Sequence, residues 1–382
     1  MTSVRVTSAA ELLDALTTAD DIEVDGSLAG MPMITLRPGV TLRGGTLRFG
    51  AKGVWLTSDN LLEDANVIVP DWEVAIGNDT AVADLGRLTV RNVRARGQVL
   101  LLAGDAVRRG HVEVDGLTVV SADLRGRPDR PHGFGVDAMQ GAFTLWRSGR
   151  RGRAAHRSHR QGANDMVLDN WGQVGDWTAR APITSHGPSG IGFVNFGTLD
   201  RLDVQAPVTT YGVGARGFNV YDGSLDSARF ESITTHADGA VGVQVSRALP
   251  VLDIAGSVTT NGSRGTSLVR GVQIQLSAIA VSVQPTGRIG RLSVGGSLSS
   301  HGDDVVTLDV EGAIDTLKVQ HGITAAGAGS DAVHLAGQAG GLDEVTVTAA
   351  HGPSSARQTT DVCDLDDPYR KEEKRCAQHG NG

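Results

Sequence analysis

Val208-Thr-Thr-Tyr-Gly is followed 25 residues later by Ile233-Thr-Thr-His-Ala and 25 later again by Val258-Thr-Thr-Asn-Gly, and Ile183-Thr-Ser-His-Gly stands the same distance before them. Leu298-Ser-Ser-His-Gly comes 40 residues further on, one period plus an insertion of 15. Ile323-Thr-Ala-Ala-Gly and Thr348-Ala-Ala-His-Gly then continue at 25. A second mark recurs inside the units, as in Leu199-Asp-Arg-Leu-Asp-Val, Ile289-Gly-Arg-Leu-Ser-Val and Ile314-Asp-Thr-Leu-Lys-Val, and a third in Ile191-Gly-Phe-Val-Asn-Phe and Val241-Gly-Val-Gln-Val. Fixed self-similarity of this length is the signature of a repeat architecture. Each unit reads as three short alternating strands broken by glycine or asparagine turns. None leaves room for the crossover helix, about a dozen residues with its turns, that a βαβ sheet needs. The expected fold class is therefore all-β: a right-handed parallel β-helix with about 25 residues per coil and coils about 4.8 Å apart. Ile, Val and Leu ladders form its interior.

Composition agrees. Of 382 residues 51 are glycine and only 4% are aromatic, so small aliphatic side chains must fill the core. With 12 prolines the chain is neither collagen-like nor a proline-rich coil. A formal charge of −8 argues against nucleic acid as a partner. No run of apolar residues is long enough for a membrane helix, and MTSVRVTSAAELLDALTTAD lacks the basic start and apolar run of a signal peptide. These readings predict a cytoplasmic protein, or a secreted one if the chain is already processed. Cys363 and Cys376 lie in the last twenty residues, where they are free to pair but make no disulfide framework, and no metal-ligand spacing of the zinc kind occurs. Oligomeric state is not readable.

Three regions follow. In residues 1–20, Ser8-Ala-Ala-Glu-Leu-Leu-Asp-Ala-Leu reads as an amphipathic helix with Ser8 as N-cap and Glu11 three residues on, suited to cap the first coil. Residues 21–352 form the β-helix, interrupted at 147–160 by the basic low-complexity run RSGRRGRAAHRSHR, which carries no strand signal. Residues 353–382 are a polar tail. With its capping helix, the opening coil Ile34-Thr-Leu-Arg-Pro-Gly-Val-Thr-Leu-Arg-Gly-Gly-Thr-Leu-Arg-Phe-Gly and the downstream ladder, the chain resembles the pectin-lyase-like superfamily over most of residues 8–352. The resemblance implies the fold and, as its common activity, chemistry on polysaccharides.

Candidate chemistry lies on the turns. The fourth residue of the aligned units runs His186, Tyr211, His236, Asn261, His301, Ala326, His351, one exposed column able to hold a sugar polymer by hydrogen bonds and ring stacking. The same residue types also suit stacked turns with no function beyond architecture. Trp171 and Trp177 head an aromatic stretch over 165–230, read either as a sugar platform or as core. Beside the column lie Arg216, Asp222, Asp238, Arg264, Asp303, Asp304, Asp309 and Asp331. Asp303, Asp304, Asp238 and Arg216 are the catalytic candidates. Paired carboxylates serve as acid and base in glycoside hydrolysis, or hold calcium to acidify a uronate proton for β-elimination. Adjacent Asp303 and Asp304 point to opposite sides unless a bulge intervenes. The arginine motif of the pectate lyases and the Gly-His-Gly and Arg-Ile-Lys marks of the polygalacturonases are missing, so no family catalytic set carries over. The expectation is a carbohydrate-active β-helix acting as a lyase or hydrolase along one flank, against a non-catalytic binding, surface or structural module.

Overall fold

The computed structural model describes residues 3–102, 106–123, 143–145, 151–154, 158–160, 166–269, 272–351 and 357–358. Cys363, Cys376 and nearly all of the tail lie outside the described residues. The fold is a parallel β-solenoid of about ten turns. From residue 183 onward each coil contributes three strands of unequal length, as in Ile183–Ser185, Ile191–Asn195 and Thr198–Val204. They stack into a short, a middle and a long face, every strand pairing in parallel with its counterpart one coil away. The 25-residue register is literal: Ile183 pairs with Val208, Val208 with Ile233 and Ile233 with Val258. The first coils are tighter, since Asp21, Thr41 and Leu61 pair 20 residues apart. At the other end Ile323 pairs with Val347, not Thr348, and His351 meets Ala328 across a bulge, so His351 is not the next member of the Ala326 column.

Alternation builds the core. Along the long face Leu202, Ala228, Leu252, Leu292 and Leu317 occupy one inward column, all but sealed from solvent. Trp177 heads that column, 1% exposed, because the preceding rung carries Gly152. On the middle face two consecutive residues point inward. A Cβ on Gly192, Gly217 or Gly242 would come within 2.6, 2.3 or 2.5 Å of Val208, Ile233 or Val258 from the short face, while the next residues, Phe193, Phe218 and Val243, are fully buried in the same core. Only glycine fits that column, and the doubled inward step turns the following residue outward.

The N-terminal helix, Ala9–Thr18, closes the first coil as expected. Ser8 accepts from the Glu11 N–H at 3.2 Å, Glu11 accepts from the Thr7 N–H at 2.7 Å, and Leu12, Ala15 and Leu16 are buried against the strands below. The basic run is less of an interruption than its composition suggested. Arg151–Ala154 pairs with Gly152 against Trp177, and Ser158–Arg160 pairs with Ser158 against Ile183, so the ladders pass through it. Parallel pairing uses backbone groups that arginine supplies as well as valine does, which is why hydropathy gave no sign of it. Residues 147–150 and 155–157 lie outside the described residues. The insertion of 15 is an antiparallel hairpin, Arg264–Val269 with Val272–Ser277.

Candidate functional site

The hairpin emerges where other coils make a tight left-handed turn. Ser189 (φ 55°), Gly214 (φ 66°), Gly239 (φ 67°), Asp304 (φ 52°) and Gly329 (φ 65°) occupy that position in their coils, and Arg264 begins the hairpin in its place. The hairpin then runs back along the helix axis. A Cβ on Gly239 would meet the Gly265 carbonyl, one on Gly214 would meet Ser267, and Ser189 Oγ accepts from the Leu268 N–H at 2.8 Å. Three coils are thus strapped beside the outer side of the middle face.

That outer side carries a row that parity counting missed, because the doubled inward step reverses the alternation. Successive rungs place Asn219, Gln244, Ser282, Asp309 and His334 in one column. The 25-residue spacings of Asn219 to Gln244 and of Asp309 to His334 were the available signal. Asn219, Gln244 and Ser282 are buried, at 1%, 6% and 3% exposure, whereas Asp309 and His334 reach solvent. His334 Nδ1 lies 2.7 Å from Asp309 Oδ1. That hydrogen bond holds the imidazole above its ordinary pKa near 6.5, with burial opposing and the charges of Asp309, Glu311 and Asp331 adding to it. Here a half-buried histidine sits protonated beside carboxylates, an arrangement suited to proton transfer.

The catalytic candidates read from the sequence fall elsewhere. Arg216 is 3% exposed under the hairpin, its guanidinium donating to Gln244 Oε1 at 2.7 Å and to Ser267 Oγ at 3.3 Å. Asp238 Oδ1 accepts from the Ser263 N–H and Asp303 Oδ1 from the Ala328 N–H, both at 2.8 Å and both across 25 residues. These aspartates clamp each turn to the next. Asp304 takes the left-handed turn position rather than forming a carboxylate pair with Asp303. Asp238 and Asp303 are two coils apart, about 10 Å by the rung spacing. Among the described residues no group of three His, Cys, Asp or Glu side chains comes together to hold a metal ion, so the calcium of a lyase reading has no ligand set here.

The binding candidates divide. His186, Tyr211 and His236 do form a column, with ring centroids 5.0 and 4.7 Å apart and planes within 8°. Asn261 continues it, its Nδ2 3.4 Å from His236 Nδ1, and His301 is exposed on the next coil. Because the stacked rings cover one another's faces, they offer ring edges and not platforms. Trp171 is 44% exposed, stacked on Phe196 at 4.0 Å, with its Nε1 donating to Asp169. Trp177 is in the core, edge-on to Phe193, and is withdrawn from the surface.

Fold and site together define a capped parallel β-solenoid with a hairpin strap and an outward polar row ending in a histidine–aspartate pair. Compared with known proteins, no family model matches the chain, and no curated protein or solved structure matches it. No helix among the described residues is long and apolar enough to cross a membrane.

Proposed function

We propose that this chain is a carbohydrate-active β-solenoid that cleaves a polysaccharide at the solvent end of the outward row, with His334 as the proton donor to the departing glycosidic oxygen. Hydrolysis and β-elimination share that proton delivery. The contact between His334 and Asp309, reachable from solvent and surrounded by Glu311 and Asp331, is the observation that carries the reading. Asp309 orients the ring and favours its charged form, and the neighbouring carboxylates are placed to act as base or to offset developing positive charge. The parallel β-helix and its resemblance to the pectin-lyase-like superfamily support a polymeric sugar as substrate. Incubating the protein with uronate and neutral polysaccharides, with and without calcium, and weighing the products tests it. Fragments from the wild type, lost by about a hundredfold in His334→Gln, are the expected result. No fragments from any polymer, or undiminished cleavage by the variant, overturns the assignment. Products 18 mass units below hydrolytic ones identify elimination, since water is then not added across the broken bond.

The engagement of Asp238 and Asp303 as turn clamps favours a second reading for the remainder of the flank, as pure architecture.

A further inference from the structure

The three faces of the solenoid differ in charge. The long face is laced with ion pairs between coils, among them Arg201 with Asp176 at 2.8 Å and Arg291 with Asp253 at 3.2 Å. The short face has none of this. In the six stretches 182–186, 207–211, 232–236, 257–261, 297–301 and 322–326 there is no Asp, Glu, Lys or Arg. Its outward middle column is an unbroken hydroxyl ladder, Thr184, Thr209, Thr234, Thr259, Ser299 and Thr324, each partly exposed between two buried neighbours. Ser232, Ser257 and Ser297 stand to one side of it. To the other side runs the column of ring edges and amide from His186 to His301.

We infer that the short face is a separate docking surface for an extended, neutral polysaccharide lying along the helix axis. Three observations select that occupant. An uncharged face on a chain of formal charge −8 neither attracts nor must desolvate an ionic partner, so a neutral one is favoured. Hydroxyls, imidazoles and an amide both donate and accept, which matches sugar hydroxyls. Their repeat, set by coil stacking at about 4.8 Å, is close to the length of one hexose in an extended chain, so successive sugars meet equivalent groups. A flat ladder of this kind suits chains packed in an insoluble polymer better than a single flexible one, because a rigid ligand has little conformational entropy to lose.

The inference rests on the glycan reading but not on the Asp309–His334 pair, and the two fail separately. In sedimentation with insoluble cellulose and with chitin, the full chain is expected to be depleted from solution by at least one of them. Soluble polygalacturonate is expected not to compete. The triple substitution Thr209→Glu, Thr234→Glu, Thr259→Glu should weaken binding at least about tenfold, with the circular dichroism spectrum retained. Thr234→Glu alone serves if the triple variant does not fold. Ser227→Glu on the long face and His334→Gln should both bind as the wild type does. Failure to bind either polymer, or undiminished binding by the face variants, overturns the proposal. So does a concentration-dependent dimer that the same variants abolish, which would make a second copy of the chain the occupant.

Discussion

At the scale of the residue, His334 has two measurable consequences, one for cleavage and one for stability. Its folded pKa lies above the ordinary value near 6.5, through the hydrogen bond to Asp309. A raised histidine pKa means that the folded state binds the proton more tightly than the unfolded chain. The stabilisation is fully present below the unfolded pKa and fades as pH rises through the folded one. His334→Gln should therefore lower the melting temperature more at about pH 5.5 than at about pH 9. Thermal unfolding of both proteins at both values measures it, and an equal loss at the two would show that Asp309 does not hold the proton there. This residue was within reach of the sequence, standing 25 beyond Asp309, but its orientation was not. Simple alternation assigns it to a face only if no strand takes two inward steps, and the glycine column at 192, 217 and 242 does take them. Trp177 misled for a related reason: the room for an indole comes from Gly152 one rung away, inside a run that hydropathy passes over.

At the scale of the element, the hairpin is the clearest case of length legible and placement not. The 40-residue interval announced 15 extra residues, while the direction in which they fold depends on Gly214 and Gly239 leaving space for Ser267 and Gly265. Gly214 carries two separate constraints, a φ of 66° and a Cβ position 2.5 Å from Ser267 Cβ. A double-mutant comparison separates them. Replacing Arg264–Ser277 with a single glycine restores the turn that neighbouring coils make, and the shortened chain should fold. Gly214→Ala should then cost about 1 kcal/mol for backbone strain alone, but distinctly more in the full-length protein, where the hairpin must also shift. Chemical denaturation of the four proteins gives the coupling. Equal costs in both backgrounds would mean that the hairpin does not rest on this turn.

At the scale of the whole molecule, stability is a sum over coils and the contacts between them, so phase matters more than length. Deleting residues 298–322 joins Ser297 to Ile323 and removes one full period. The rung Val258–Thr260 would then meet Ile323–Ala325, Val281–Val283 would meet Val333–Leu335, and every inward column would stay inward. Deleting only the 12 residues 298–309 would bring the end of a middle strand against the short face and turn part of the aliphatic ladder toward solvent, as a register slip does in any sheet with one buried side. The first variant should keep a β-rich circular dichroism spectrum and one cooperative unfolding transition at a somewhat lower temperature. The second should lose cooperativity or aggregate, although it removes fewer residues. Similar behaviour of the two would show that the ladders tolerate being out of phase. The 25-residue period, which made the architecture legible from Ile183 onward, would then not be what holds it together.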